Sequence, residues 1–280
     1  MRKIKMICID LDGTLLMNDH HTIPPRNLAA IRRAVQAGVE IVPATGRIFA
    51  RVPQEVQQIA QLRYAIVING AQVLDLEKKR PLYAAYLPVE TVLRILERVA
   101  PLGLMPEIYQ KDHMLITGED LARLRTTAVE RDHLEHLLCR EQPVEDLVRL
   151  VREHPEGICK VNLPFFADPD LRAQLRREFE SWGGLQCSTS MGSNLEINAS
   201  GATKGRAVGA LCGALGLSRD EVMAIGDSDN DIDLLRAVGC PVAMGNASAQ
   251  VKALARMQTT TNEEAGVALA IEAALRGEIA

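Results

Sequence analysis

The hydrophobic pattern near the start of the chain alternates between short apolar runs and longer amphipathic segments. Unbroken apolar runs predict strands buried on both faces, and a period of 3.6 residues predicts helices between them. The predicted strands cover residues 3–9, 39–42 and 64–68, and the predicted helices cover 25–37 and 48–60. Alternation of buried strands with helices indicates a parallel, doubly wound α/β sheet.

The pattern changes after Gly70, where short strands mix with helices, and the α/β pattern returns near Asn194. We therefore predict a core of residues 1–83 and 191–280, interrupted by an inserted α+β domain at residues 84–190. The resumed sheet is expected to contain strands at 194–198, 222–225 and 241–244.

Composition and charge narrow the class of partner. The net charge of −4 over 280 residues argues against a nucleic-acid partner, because a phosphate backbone requires a concentrated basic face. No run of 18 apolar residues occurs, so no membrane span is expected. The six cysteines are scattered without a CxxC pair, and the chain starts without a leader pattern. These features predict a protein of the reducing cytoplasm.

Acidic and polar residues stand directly after three predicted strands. Asp10 and Asp12 follow the first strand, Thr45 follows the second, and the segment 227–231 follows the strand at 222–225. Because carboxyl ends of parallel strands share one sheet edge, we expect these groups to meet. Two like charges about 4 Å apart repel by roughly 4 kcal/mol at an effective dielectric near 20. Such a cluster requires a cation, and an all-oxygen ligand set favours Mg²⁺.

Lys204 begins a predicted helix after a glycine-containing loop, a place suited to an anion. A metal, a hydroxyl and a lysine together provide the charge stabilisation that a transferring phosphoryl group needs. The Asp10 carboxylate could then act as nucleophile, while Asp12 protonates the leaving oxygen and later activates water. This arrangement predicts phosphoryl transfer.

Four motifs in this order resemble the haloacid dehalogenase superfamily, and within it the Cof-type, subclass IIB sugar-phosphatase-like hydrolases. They are Asp10-Leu11-Asp12-Gly13-Thr14-Leu15, Ala44-Thr45-Gly46-Arg47, Lys204-Gly205 and Gly226-Asp227-Ser228-Asp229-Asn230-Asp231. The resemblance covers nearly the whole chain. It implies a Rossmann-like parallel-sheet core with an inserted α+β cap.

The resemblance also implies a role for each motif residue. Asp10 would be the nucleophile and a Mg²⁺ ligand, and Asp12 the general acid/base that binds Mg²⁺ through its backbone carbonyl. Asp227 would be the third protein ligand, and Asp231 would ligate the metal directly or orient a metal-bound water. The residues that would bind the phosphoryl group or the substrate body are Leu11, Thr45, Gly46, Arg47, Lys204 and Asn230.

These roles predict a cytoplasmic, Mg²⁺-dependent phosphomonoester hydrolase that acts on a small phosphorylated molecule through an aspartyl-phosphate. Sugar phosphates, nucleotides, flavin mononucleotide and pyridoxal phosphate are all substrates typical of the family. A phosphomutase that uses the same intermediate is an alternative within enzymes. A non-catalytic phosphate-sensing protein on the same fold is an alternative from another class.

Several other polar residues have a structural and a functional interpretation. His20 and His21 lie near the first site loop and are interpreted as solvent-exposed, and Asp229 is expected to cap the helix that follows it. Glu196 is interpreted as structural. The residues that alternate on predicted strands of the insert, and could face a site or stabilise the fold, are Glu107, Tyr109, Lys160 and Asn162.

Overall fold

The structure is a computed structural model that describes residues 3–59, 61–126, 141–189 and 193–279. The chain forms two compact units, Met1–Ala84 with Thr203–Ala280, and Ala85–Ala202. Within the described ranges, every helix is too short or too polar to cross a lipid bilayer.

The strands and helices, in chain order, have the following bounds. The strands are β1 (Met6–Ile9), β2 (Glu40–Pro43), β3 (Tyr64–Val67), β4 (Gln72–Asp75), β5 (Arg80–Ala84), β6 (Glu107–Gln110), β7 (His113–Thr117), β8 (Glu141–Val144), β9 (Ile158–Leu163), β10 (Leu185–Ser188), β11 (Leu195–Ala199), β12 (Val222–Gly226), β13 (Cys240–Ala243) and β14 (Met257–Gln258). The helices are α1 (Pro25–Gln36), α2 (Gln54–Gln57), α3 (Val89–Val99), α4 (Gly118–Thr126), α5 (Leu147–Glu153), α6 (Pro169–Ser181), α7 (Lys204–Leu215), α8 (Ile232–Ala237), α9 (Ala249–Leu254) and α10 (Gly266–Arg276).

The first unit is organised on a five-stranded parallel sheet in the order β14–β13–β12–β1–β2. Strand β1 lies between β12 and β2, and its residues are fully buried because both faces of the sheet are covered. A parallel bridge from Ala44 to Ile66 places β3 beside the end of β2, and β3 continues into an antiparallel sheet with β4 and β5. This topology confirms the predicted parallel α/β fold, and it brings the ends of β1, β2 and β12 to one edge.

Proline and glycine set the limits of two predicted helices in this unit. Helix α1 has Pro25 at its first position and ends before Gly38, whose φ of 79° a glycine adopts without strain. The helix predicted over 48–60 is instead a short turn, Phe49–Arg51, followed by α2. Pro53 separates the two, because a proline inside a helix removes a backbone donor and clashes with the preceding turn.

The second unit contains a six-stranded sheet in the order β10–β11–β9–β6–β7–β8, antiparallel except for the β7–β8 pair. Alternate residues on its central strands, such as Ile108, Val161 and Ile197, join an apolar cluster with residues of α3, α5 and α6. Helices on a largely antiparallel sheet confirm the predicted α+β character of this region.

The domain boundary after the insert was predicted wrongly. We expected residues 191–199 to rejoin the parallel sheet, but β11 pairs antiparallel with both β9 and β10 and belongs to the second unit. The first unit resumes only at Thr203. The hydrophobic pattern of a strand does not encode the direction of its neighbours. The sequence of β11 therefore does not show which sheet the strand joins. Residues 127–138 of the helix predicted from 119 lie outside the described residues.

Candidate active site

A tight turn carries the first motif away from β1. Asp10 has extended backbone angles and is buried at the sheet edge, and Gly13 has a φ of 79°. A Cβ atom at position 13 would lie 2.5 Å from Oδ2 of Asp227, so only glycine allows the turn to approach the fourth motif. The turn therefore brings two motifs far apart in sequence into contact.

Lys204 joins two of the acidic residues. Its Nζ donates hydrogen bonds of 2.6 Å to Oδ1 of Asp10 and 2.6 Å to Oδ1 of Asp231. The Thr203 side chain caps α7 by accepting from the backbone N–H of Arg206, which fixes Lys204 at the first helical position. Burial lowers the pKa of Lys204, but the two carboxylates outweigh burial and hold that pKa above its usual value.

The fourth motif forms a closed loop around the carboxylate of Asp231. Oδ2 of Asp231 accepts from the backbone N–H groups of Asp227 and Ser228, both at 3.1 Å. Oδ1 of Asp227 accepts from the Thr14 hydroxyl at 2.7 Å. These contacts hold both carboxylates at the end of β12, and the Thr14 contact joins Asp227 to the turn that follows β1.

Burial perturbs the acids of this cluster. It raises the pKa of Asp227 to about 6, assisted by repulsion from Asp231 and opposed by the Thr14 hydrogen bond. It also raises the pKa of Asp10 well above its usual value, where repulsion from Asp231 and Asp227 adds to burial and Lys204 opposes it. The folded protein therefore holds negative charge here at a free-energy cost.

The same residues fit a metal ion. One carboxylate oxygen from each of Asp10, Asp227 and Asp231 lies within 4.8 Å of the others. Three carboxylates against the single ammonium of Lys204 leave an excess of negative charge, and oxygen-only donors suit a hard divalent cation. We call Asp10, Lys204, Asp227 and Asp231 the acidic cluster.

The second motif lies beside this cluster at the end of β2. Thr45 is buried, its backbone N–H donates to the carbonyl of Ile66 at 2.9 Å, and its carbonyl accepts from the N–H of Asn69 at 3.0 Å. A Cβ atom at Gly46 would lie 2.7 Å from Oδ1 of Asn69, so a larger residue would displace that side chain. The motif is held in place by the turn that follows β3.

Arg47 binds Asp12 rather than standing as a surface charge. Its Nε lies 2.9 Å from Oδ2 of Asp12, and its Nη2 donates to Oδ1. His20 Nδ1 lies 2.9 Å from the same Oδ1. Burial acts to raise the pKa of Asp12, but the hydrogen bonds from His20 and Arg47 outweigh it and lower that pKa to about 2. His20 is exposed, as expected, but its ring contacts Asp12, a predicted catalytic residue.

Asn230 and Asp229 lie in the short turn Asp229–Asp231. Oδ1 of Asn230 accepts from the Ser228 hydroxyl at 2.7 Å, which orients the amide within the fourth motif. The prediction that Asp229 caps the following helix was wrong. Ser228 holds the capping position of the short turn, and Asp231 holds that of α8. The Asp231 side chain accepts from the backbone N–H of Ser228.

Three supporting residues were missed by the sequence reasoning. Thr14 lies within the first motif, and its hydroxyl orients Asp227. Asn246 donates to the carbonyl of Gly13 at 2.8 Å, and Asn262 donates to the carbonyl of Leu16 at 3.0 Å. An asparagine in a distant loop carries no pattern that predicts such a contact, whereas the position of Thr14 directly after the acids was a usable signal.

The polar residues singled out in the second unit bind one another. Lys160 donates to Oε1 of Glu196 at 2.7 Å and lies 4.0 Å from the ring centroid of Tyr109. Asn162 donates to Oε2 of Glu107 at 2.7 Å. All five are buried, and we call them the second-unit network.

The fold and the acidic cluster define a haloacid dehalogenase-like hydrolase, and the sequence profile of that family matches residues 7–271. The chain belongs to this family. It is 30% identical over 268 residues to 5-amino-6-(5-phospho-D-ribitylamino)uracil phosphatase YcsE of Bacillus subtilis, covering 96% of this chain and 94% of that protein. It is also 30% identical over 267 residues to the pyridoxal phosphate phosphatase YbhA of Escherichia coli, covering 94% and 96%.

A solved structure supports the same assignment. A haloacid dehalogenase-like hydrolase from Bacillus subtilis superposes with a TM-score of 0.82 at 26% identity, covering 96% of this chain and 99% of that one. The protein is accordingly a phosphatase, a phosphomonoester hydrolase of the haloacid dehalogenase superfamily. Its acidic cluster is compatible with the metal that phosphatases of this family generally use.

Proposed function

We propose that the protein hydrolyses small phosphomonoesters in two steps through a phosphorylated Asp10, with Mg²⁺ as cofactor. The observation that carries the proposal is the buried contact of Lys204 with both Asp10 and Asp231, with Asp227 close by. A carboxylate held by an ammonium group, within reach of a divalent cation, is suited to attack an electrophilic phosphorus.

The groups around Asp10 would bind the phosphoryl group. Lys204, the hydroxyl of Thr45 and the backbone N–H groups of Leu11 and Gly46 would hold its oxygens. Arg47 and Asn230 would lie beside the phosphate or the body of the substrate. Burial of Thr45 and Lys204 supports this assignment, because donors in a water-poor environment stabilise developing charge more strongly.

In the first step, a carboxylate oxygen of Asp10 forms a bond to phosphorus while the bond from phosphorus to the leaving oxygen breaks. For this step Asp12 must carry a proton, although its contacts with Arg47 and His20 favour the ionised form in the free protein. It gives that proton to the leaving oxygen, and the alcohol departs. In the second step, a water molecule attacks phosphorus as Asp12 takes a proton from it. The bond from phosphorus to the Asp10 oxygen breaks, phosphate leaves, and the Asp10 carboxylate is regenerated.

Mg²⁺ would be held by the carboxylates of Asp10 and Asp227 and the backbone carbonyl of Asp12, with Asp231 as a direct ligand or as the acceptor that orients a metal-bound water. When bound, the ion would supply compensating positive charge for the carboxylates and the phosphoryl oxygens.

The proposed substrate class is small phosphorylated metabolites. The names of two relatives support this class, since one is a phosphatase of a phosphoribityl compound and the other of pyridoxal phosphate. We also propose a reducing cytoplasmic location, which the free thiols of Cys8, Cys159, Cys187, Cys212 and Cys240 support. The segment Ala85–Ala202 would act as the cap that selects among substrates.

The decisive experiment replaces the nucleophile. Asp10→Asn should lower phosphate release by at least about 10³-fold, because an amide cannot form the acyl phosphate. Asp229→Asn is the matched control: it makes the same chemical change on an exposed residue of the fourth motif and should keep nearly full activity. An Asp10→Asn protein that is folded and still active would contradict the proposed reaction.

Removal of the metal tests the cofactor separately. Chelation with EDTA should abolish phosphate release, and Mg²⁺ added back in excess should restore it. Product analysis during the same assay distinguishes hydrolysis from the mutase alternative. Free phosphate supports the proposal, and an isomerised sugar phosphate without release of phosphate contradicts it.

A further inference from the structure

His20 contacts Asp12 from a backbone conformation that is rare for a non-glycine residue. Its φ is 61°, in the left-handed region that only a few per cent of non-glycine residues adopt. From this conformation the ring reaches Oδ1 of Asp12, while the backbone carbonyl of His20 accepts from Nη2 of Arg47 at 2.9 Å. Asp12, Arg47 and His20 therefore form a closed ring of hydrogen bonds.

The loop that presents His20 is itself ordered by hydrogen bonds. The backbone N–H of His20 donates to the carbonyl of Met17 at 3.0 Å, and that of Met17 donates to the carbonyl of Thr22 at 2.9 Å. Oδ1 of Asp19 accepts from the N–H groups of His21 and Thr22 at 3.0 and 2.8 Å. An Asx-type turn of this kind fixes the backbone and compensates for the strained residue.

Counting acceptor sites shows what the His20 ring does to Asp12. An ionised carboxylate offers about four lone-pair sites, two on each oxygen. Within the described residues, Arg47 Nη2 and His20 Nδ1 occupy Oδ1, and Arg47 Nε occupies one site on Oδ2. Since the carboxylate can only accept, Nδ1 carries the hydrogen of this contact. The remaining site lies on Oδ2.

We propose that His20 is a positioning residue for the general acid/base, closing Oδ1 of Asp12 so that proton transfer takes place at Oδ2. The proposal rests on the proposed function, in which Asp12 gives a proton to the leaving oxygen and later takes one from water. His20 touches neither reactant in this scheme. Without its ring, Oδ1 of Asp12 gains an open site while Arg47 still binds both carboxylate oxygens, so the proton is less often carried on Oδ2.

The test compares two substrates of the same shape. Phenyl phosphate and p-nitrophenyl phosphate share an aromatic body, but the phenolate of the former is the poorer leaving group and needs protonation more. The ratio kcat/KM reports the steps up to departure of the phenol. Misplacement of the proton donor should therefore lower kcat/KM most for phenyl phosphate. A variant with less folded protein loses activity equally on both substrates.

His20→Gly removes the ring and keeps the left-handed backbone, because glycine adopts positive φ without strain. We expect a loss in kcat/KM of about 10-fold for phenyl phosphate and less than about 2-fold for p-nitrophenyl phosphate. His20→Asn should recover part of the loss, since asparagine tolerates this conformation and carries an amide donor. The matched control is His21→Ala. The His21 ring contacts the carbonyl of Asp19 at 2.6 Å and is exposed like that of His20.

Equal losses on the two substrates, no loss, or the same selective loss in His21→Ala would each overturn the role of His20. Asp12→Asn separates this outcome from failure of the proposed function. If Asp12→Asn retains full activity, Asp12 is not the acid/base and the proposed reaction fails. If Asp12→Asn is inactive and His20→Gly is unaffected, only the role of His20 fails.

Discussion

Each unit of the protein buries a lysine against carboxylates, and the two arrangements differ in their surroundings. Lys204 and Lys160 are both only 1% exposed. Lys204 faces Asp10 and Asp231 at 2.6 Å each, with Asp227 close by. Lys160 faces Glu196 at 2.7 Å and lies over the ring of Tyr109.

The difference follows from where the residues lie on their strands. Lys160 and Glu196 lie within adjacent strands of one sheet, where the register brings polar side chains together and lets them satisfy one another. The acidic cluster lies beyond strand ends, where loops from different parts of the chain meet. Its raised pKa values for Asp10 and Asp227 indicate charge that the protein alone leaves only partly compensated. A buried charge with a matched partner needs no further ion, whereas carboxylates in excess of their partners can bind a cation.

The largest expected difference is in activity. Lys204→Met should lower phosphate release by about 10²–10³-fold or more, since it removes a proposed donor to the transferring group. Lys160→Met makes the same change in the second-unit network and should lower the activity of the folded protein by less than about 10-fold. Assays with Mg²⁺, corrected for the folded fraction by circular dichroism, check this. Similar losses in both variants would remove the distinction.

Replacing one acid by its amide should change stability in opposite directions in the two clusters. The raised pKa of Asp227, about 6, means that the folded state binds more protons than the unfolded state between about pH 4 and 6. Stability therefore falls as pH rises through that window, and Asp227→Asn should remove this cost, raising the free energy of unfolding at pH 7.5 by about 1–2 kcal/mol. Glu196→Gln leaves Lys160 buried without its charge partner. This change should lower the free energy of unfolding by about 2–4 kcal/mol.

Urea unfolding in EDTA measures both changes. A decrease in stability for Asp227→Asn would show that the negative charge of the acidic cluster is already compensated within the protein.

The smallest effect is expected from a supporting hydroxyl. Thr14→Val removes the donor that holds Oδ1 of Asp227, and it should weaken Mg²⁺ binding by about 10-fold. Thr14→Ser should retain most of the affinity. Ser188→Ala removes the analogous hydroxyl contact to Glu196 in the second-unit network and should leave Mg²⁺ dependence unchanged. The Mg²⁺ concentration that gives half-maximal activity is the measurement, and an unchanged value in Thr14→Val would argue against a role in metal binding.

Much of the fold could be predicted from the order of apolar runs, because parallel strands buried on both faces are unbroken and separated by helices. The acids after β1 and β12 could be placed at one edge, because the carboxyl ends of parallel strands share one edge of the sheet. The assignment of residues 191–199 failed because strand direction depends on partners distant in sequence. The helix over 48–60 failed at Pro53, where a local rule outweighed an amphipathic pattern.

The sequence by itself determined which chemical groups are available and where on the strands they lie: Asp10 and Asp12 after β1, Thr45 after β2 and Asp227 after β12. Only the tertiary structure decided their partners. It joined Lys204 to Asp10 and Asp231, Thr14 to Asp227, and His20 to Asp12. The physical reason is range: hydrophobic periodicity acts over a few residues, whereas a hydrogen bond between loops depends on backbone turns and sheet order set by the whole chain.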